Sequence, residues 1–179
     1  MKILFLDIDG VLNSHIFLYE EGGFKRQKKL EEGVYSRLDW DKAMLDERAI
    51  KRLAKVLEAT NAKVCISSSW RLKTSLKEFI DIFNSYSFFY KPAENFIIDR
   101  TPYGCEMTKY TDYNRVRGFE ILEWLEKYKE INGENSIEAY AVLDDSLDAG
   151  TNHEDYFVRT KWHYGLQDEH VEELLRILS

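Results

Sequence analysis

Two aspartates, Asp7 and Asp9, follow directly on the apolar run Ile3-Leu4-Phe5-Leu6, and Gly10 comes immediately after them. Side chains at positions i and i+2 of a strand share a face. Two carboxylates therefore leave the end of a buried strand on one side, and Gly10 lets the chain turn sharply behind them. Unpaired carboxylates about 5 Å apart repel by about 3 kcal/mol at an effective dielectric near 20. A cation between them relieves that repulsion. Magnesium, a hard cation that takes oxygen ligands and binds together with phosphate, is the natural occupant.

Two further strand ends carry polar residues. The apolar segment Lys63 to Ile66 runs into Ser67-Ser68-Ser69, and Tyr140 to Leu143 runs into Asp144-Asp145. Helical periodicity lies between these segments. Asp46 reads as the N-cap of a helix with Ile50, Leu53, Ala54 and Leu57 inside. Ser75 and Glu78 form a capping box for a helix reaching about Asn84. Ile121, Leu122, Leu125 and Tyr128 mark a helix that starts near Arg117, and Val171, Leu174, Leu175 and Leu178 mark a last one opened by Asp168. Short strands are expected at 96–98 and 156–160. Alternating strands and helices, with strands too apolar to face water, predict an α/β fold: a three-layer Rossmann-like parallel sheet with helices on both faces. Sites in such folds lie outside the carboxyl ends of the strands, which is where all three polar clusters fall.

No repeat or linker divides the 179 residues, so a single domain over 1–179 is expected. Residues 11 to about 44 show no clear period and read as an irregular flap or small insertion, at about 13–44, over the site. The hydrophobic share of 44% suits a packed core, and the net charge of -7 argues against a broad basic nucleic-acid footprint. A local one remains: Lys25-Arg26-Gln27-Lys28-Lys29 is either a solvated face or an electrostatic guide for a polyanion. Neither a membrane span nor a secretory signal is expected, nor an obligate protein partner. Two cysteines, Cys65 and Cys105, are too few for a disulfide framework, so a cytoplasmic setting is expected, with Cys65 in the core. The four histidines show no metal-ligand spacing. Trp70 and Trp162 read as packing residues before base-stacking ones.

The order of these features, D-x-D-G-V, an apolar strand ending in Ser, a basic residue opening a helix, and an apolar strand ending in D-D, resembles the haloacid dehalogenase (HAD) superfamily. Ser67-Ser68-Ser69-Trp70-Arg71, Thr101-Pro102, Arg117-Gly118-Phe119-Glu120-Ile121 and Gly165-Leu166 are similar to the HAD domain of Swiss Army Knife RNA repair proteins. The resemblance implies a HAD-like fold with a minimal cap or none. It implies Asp7 as nucleophile forming an aspartyl-phosphate and Asp9 as general acid and then base. Ser67 would bond the transferring phosphoryl group, with Ser68 as the alternative. Arg117 would compensate negative charge, with Arg115 and Lys109 as alternatives. Mg²⁺ would be held by Asp7, the Asp9 carbonyl, Asp144 and Asp145, with Asp148 a further candidate. Gly10, Ser68 and Arg71 are the expected substrate contacts, although a salt bridge is an equal reading of Arg71.

In the superfamily that the chain resembles, an open site implies large substrates such as nucleic-acid ends, so the resemblance makes a Mg²⁺-dependent phosphomonoesterase acting on RNA or DNA ends the leading expectation. A small-molecule or nucleotide phosphatase is the alternative within enzymes. A non-catalytic HAD-fold binding module is the alternative outside them, and it is disfavoured because every acid of the pattern is present. A phospho-receiver domain is disfavoured by order, since its acidic pair precedes the phosphoacceptor.

Overall fold

The computed structural model describes residues 1–31, 33, 36–104 and 116–179. Five strands, β1 (Lys2–Leu6), β2 (Lys63–Ile66), β3 (Ile97–Arg100), β4 (Ala139–Asp144) and β5 (Phe157–Arg159), form one parallel sheet in the order β3-β2-β1-β4-β5. The central strand β1 is inaccessible to water from Ile3 to Leu6, and its alternation divides the core in two. Leu4 and Leu6 face helices α3 (Glu47–Thr60), α4 (Leu76–Asn84) and α6 (Asp168–Ile177), meeting Ile50, Leu53, Phe79, Phe83 and Leu174. Ile3 and Phe5 face α5 (Arg117–Asn132), meeting Ile121, Trp124 and Leu125. These are the three expected layers, a Rossmann-like α/β fold without a large cap. No helix among the described residues is long and apolar enough to cross a membrane.

The expected helix starts are where the chain chemistry puts them. The Asp46 carboxylate accepts from Arg48 N–H at 2.9 Å at the head of α3. Ser75 and Glu78 cap α4 reciprocally, at 3.2 and 2.6 Å. On α5 the inward face differs in one position from the expectation: Trp124 is buried in place of Leu122, with its ring edge-on to Phe5 and its indole N–H on Asp99 at 2.7 Å.

The expectation of an irregular stretch over 11–44 is corrected. A wide helical turn over Ile16–Glu20, then α1 (Gly23–Glu31) and α2 (Arg37–Ala43), occupy it. Their sequence hides them because α2 buries no residue, so no apolar period exists to read. Intrinsic propensity and caps carry them instead. The Lys-, Arg- and Gln-rich α1 is made of good helix formers, with Lys28 and Lys29 at its negative C-terminal end. Ser36 and Asp39 form a capping box for α2, a signal legible in hindsight.

The head of α5 is docked tightly against the segment after β4. A Cβ on Gly118 would stand 2.2 Å from the Thr151 carbonyl oxygen. The buried His153 bridges the same two segments, with Nε2 on the Gly118 carbonyl at 2.8 Å and Nδ1 on the Tyr140 hydroxyl at 3.0 Å. Burial holds His153 below its ordinary pKa, so the ring is neutral there. Nε2 then donates to the carbonyl while Nδ1 accepts from Tyr140. Gly118→Ala adds about 1 kcal/mol of helix propensity but forces this backbone contact apart, costing about 1–3 kcal/mol. The melting temperature should fall by a few degrees; a value at or above that of the unsubstituted protein would show that the contact does not fix α5.

Candidate active site

The parallel register brings the polar strand ends together. Leu6 is level with Ile66 on one side and Leu143 on the other. The ladder continues one residue further, with Asp7 N–H on the Leu143 carbonyl and Ser67 N–H on the Leu6 carbonyl, both at 3.0 Å. Asp7 therefore leaves the sheet beside Asp144, the last residue of β4, and both are buried. One carboxylate oxygen each from Asp7, Asp144 and Asp145 lies within 4.8 Å of the others. Gly10 makes the approach of Asp145 possible. Its φ of +73° suits glycine, and a Cβ there would stand 2.5 Å from the Asp145 carboxyl carbon.

Arg117, at the head of α5, answers this negative charge. One guanidinium nitrogen, Nη1, lies 3.2 Å from Asp7 and also bonds Asp144. Burial disfavours its charge, but Asp7 and Asp144 more than offset that and hold it protonated. Among the described residues this one cation does not balance the acids. Burial raises the Asp7 carboxyl above its ordinary value, with Arg117 and the Ser68 hydroxyl opposing. Burial and then Asp7 push Asp144 up to about 7, and the same two causes raise Asp145. A set of carboxylate oxygens with surplus negative charge fits a hard divalent cation. Asp148, the further candidate, does other work: its carboxylate accepts the Arg117 backbone N–H at 3.0 Å and the Ser146 hydroxyl at 2.5 Å. It caps the helix that carries Arg117.

Asp9 stands apart from the acid cluster, and both its oxygens are held. Asn13 Nδ2 donates to one at 2.8 Å, and Trp70 Nε1 donates to the other at 3.0 Å. Asn13 in turn accepts the Gly10 N–H at 3.0 Å. Sequence reasoning missed Asn13 and read Trp70 as packing. An amide four residues after Asp9 is the only local hint; the Trp70 bond spans 61 positions.

Of the two serines, Ser68 has its hydroxyl against Asp7. The Ser67 hydroxyl is fully buried with no hydrogen-bond partner among the described residues. Of the two equal readings of Arg71, the salt bridge is present, to Glu120. Its five N–H groups go to the carbonyls of Ser67, Ser68, Thr101 and Pro102 and to the buried Glu120, at 2.5–3.0 Å. The Gly10 N–H is likewise taken, by Asn13, so it is not free for a phosphoryl oxygen. Lys109 and Arg115, the alternatives to Arg117, lie outside the described residues.

Residues 3–171 match the family model of the HAD domain in Swiss Army Knife RNA repair proteins. The chain belongs to this family. No curated protein and no solved structure matches it. Membership implies phosphohydrolase chemistry in an RNA repair context, and the family typically uses a metal, which the acid cluster of this HAD domain can hold. The motif around α5 of the HAD domain now has physical content. Arg117 meets the acids, Gly118 permits the docking, Glu120 anchors Arg71, and Ile121 enters the core. The pair Thr101-Pro102 supplies carbonyls to Arg71, and Leu166 ties the last loop to the turn after Asp9 through the Val11 carbonyl at 2.9 Å.

Two outcomes are expected. Trp70→Phe keeps a ring but removes one hydrogen bond to a charged group, worth about 1.5 kcal/mol; kcat on a phosphomonoester should fall about tenfold with KM less affected. An unchanged kcat would mean that Trp70 does not hold Asp9 during turnover. Asp144 must lose its proton to take a cation, so any divalent-cation affinity of the acid cluster, read by calorimetry, should weaken as pH falls below about 7. A flat pH profile would mean that Asp144 takes no part in holding a cation.

Proposed function

We propose that this HAD domain is a Mg²⁺-dependent phosphomonoesterase that removes terminal phosphates from nucleic acid. The observation that carries the reading is the separation of two carboxylates from one loop. Asp7 sits among Arg117, Asp144 and Asp145, while Asp9 is held away from them by Asn13 and Trp70. A nucleophile and an acid/base need such different surroundings.

In this reading an Asp7 carboxylate oxygen attacks phosphorus, and the bond from phosphorus to the leaving oxygen breaks. Asp9 gives its proton to that oxygen. Asp9 then takes a proton from water, whose oxygen attacks the phosphorus of the aspartyl-phosphate, releasing inorganic phosphate and restoring the Asp7 carboxylate. Arg117 stabilises charge on the phosphoryl oxygens, and Ser68, already against Asp7, donates to one of them, with the free hydroxyl of Ser67 one residue away. Asp7, Asp144, Asp145 and the Asp9 carbonyl would hold Mg²⁺, which supplies electrostatic stabilisation of the phosphoryl group when bound. Arg71 acts as a positioning residue through the Ser67 and Ser68 carbonyls. The α1–α2 segment is a small lid beside the site within a single domain. A cytoplasmic setting belongs to the same reading, two cysteines being too few for a disulfide framework.

The test is phosphate release from a 3′-phosphorylated oligonucleotide with and without Mg²⁺. Release should require the metal and fall at least a thousandfold in Asp7→Asn with the melting profile retained. Equal rates in Asp7→Asn would overturn the mechanism.

A further inference from the structure

A cavity of about 790 Å³ lies between the α1–α2 pair and the turn after β2, walled by Leu30, Trp40, Met44, Trp70 and Lys73. Its volume lies within the roughly 300–1,000 Å³ of small-molecule sites, yet none of the metal-side acids lines it. Trp70 connects it to the chemistry. The indole that lines the cavity is the one whose N–H bonds Asp9, so the cavity begins one indole away from the proposed general acid.

In-line attack by Asp7 sends the leaving oxygen to the far side of phosphorus, where Asp9 protonates it. The body of the leaving group then extends past Asp9 and meets Trp70 and the cavity behind it. Two indole rings beside Leu30, Met44 and Leu72, in a wall otherwise polar, suit a flat aromatic ligand, and base–aromatic stacking contributes about 1–3 kcal/mol per base. Charge names the rest of the ligand. Arg37 and Lys73 line the same cavity and are exposed. A base in the cavity would have its neighbouring phosphate beside these two cations, in a protein that is otherwise acidic.

We infer that the cavity binds the terminal nucleoside of a single-stranded polynucleotide, with the preceding phosphate at Lys73 and Arg37. This rests on the phosphatase reading for its orientation and deepens it to a subsite. Trp70 then has two tasks, aligning Asp9 and stacking the base of the group that Asp9 protonates.

The first comparison needs no variant. Phosphate release is measured on two 3′-phosphorylated oligonucleotides, one ending in an ordinary nucleotide and one ending in a base-free sugar. The base-bearing end should be favoured at least tenfold in kcat/KM, and Trp40→Ala should bring the ratio close to one. Arg37 and Lys73 changed together to Ala should lower the preference for the oligonucleotide over the matching mononucleotide and flatten its salt dependence. Equal rates on both ends in the unsubstituted protein would overturn the inference while leaving the phosphatase reading intact. So would a preference that survives Trp40→Ala. If neither oligonucleotide releases phosphate, the phosphatase reading fails, and fluorescence anisotropy of labelled 3′-hydroxyl oligonucleotides still decides the cavity. Tighter binding of the base-bearing end, lost in Trp40→Ala, supports it; equal affinity for both ends overturns it.

Discussion

Asp7 and Asp144 are buried side by side at the ends of neighbouring strands, and one guanidinium answers both. Leaving two carboxylates in such a place without compensation costs several kcal/mol per ion, so much of the surrounding structure works to keep Arg117 where it is. Asp148 caps its backbone, Gly118 lets its helix lie against the carbonyls of Asp148 and Thr151, and His153 stitches that contact to Tyr140 on β4. On the other side, the Arg71–Glu120 pair ties the same helix to the serine turn after β2. Among the described residues the compensation stays partial, and the remaining surplus of negative charge is what fits the cluster to a cation.

Asp9 follows a different logic. Its neighbours are neutral donors, Asn13 and Trp70, which fix its direction without adding charge. Two residues of chain thus separate a carboxylate governed by ions from one governed by dipoles. The sharp turn at Gly10 makes this possible, since it lets Asp145 approach Asp7 while Asn13 folds back on Asp9. The turn is also pinned from outside, because the Thr160 hydroxyl donates to the Gly10 carbonyl at 2.7 Å.

What the sequence made legible was whatever repeats with a period or sits at an element end. The strand ends at Asp7, Ser67 and Asp144 could be read because apolar runs stop there, and α3, α4 and α6 could be read because their buried faces recur with the helical period. The α1–α2 pair could not, since α2 has no buried face to leave a pattern. Arg71 was opaque for another reason. Four of its five acceptors are backbone carbonyls, which every residue has and no sequence displays. Asn13 and Trp70 are ordinary residue types whose meaning depends on where the chain returns in space. Glu120 carried the clearest unused hint: a carboxylate three residues into the helix, between Phe119 and Ile121, calls for a buried cation.

The parallel register has one more consequence. Adjacent strands stand about 4.7–4.9 Å apart, close to the 4.8 Å within which the Asp7, Asp144 and Asp145 oxygens meet. Strand pairing thus brings Asp7 and Asp144 side by side, and side-chain rotation sets where their oxygens lie. Register changes only in whole residues, and a slip of one would turn Asp144 to the opposite face of the sheet. The site is digital in this sense. Which acids face one another is therefore fixed in whole residues by strand pairing, while the placement of their oxygens still follows the side chains and Arg117.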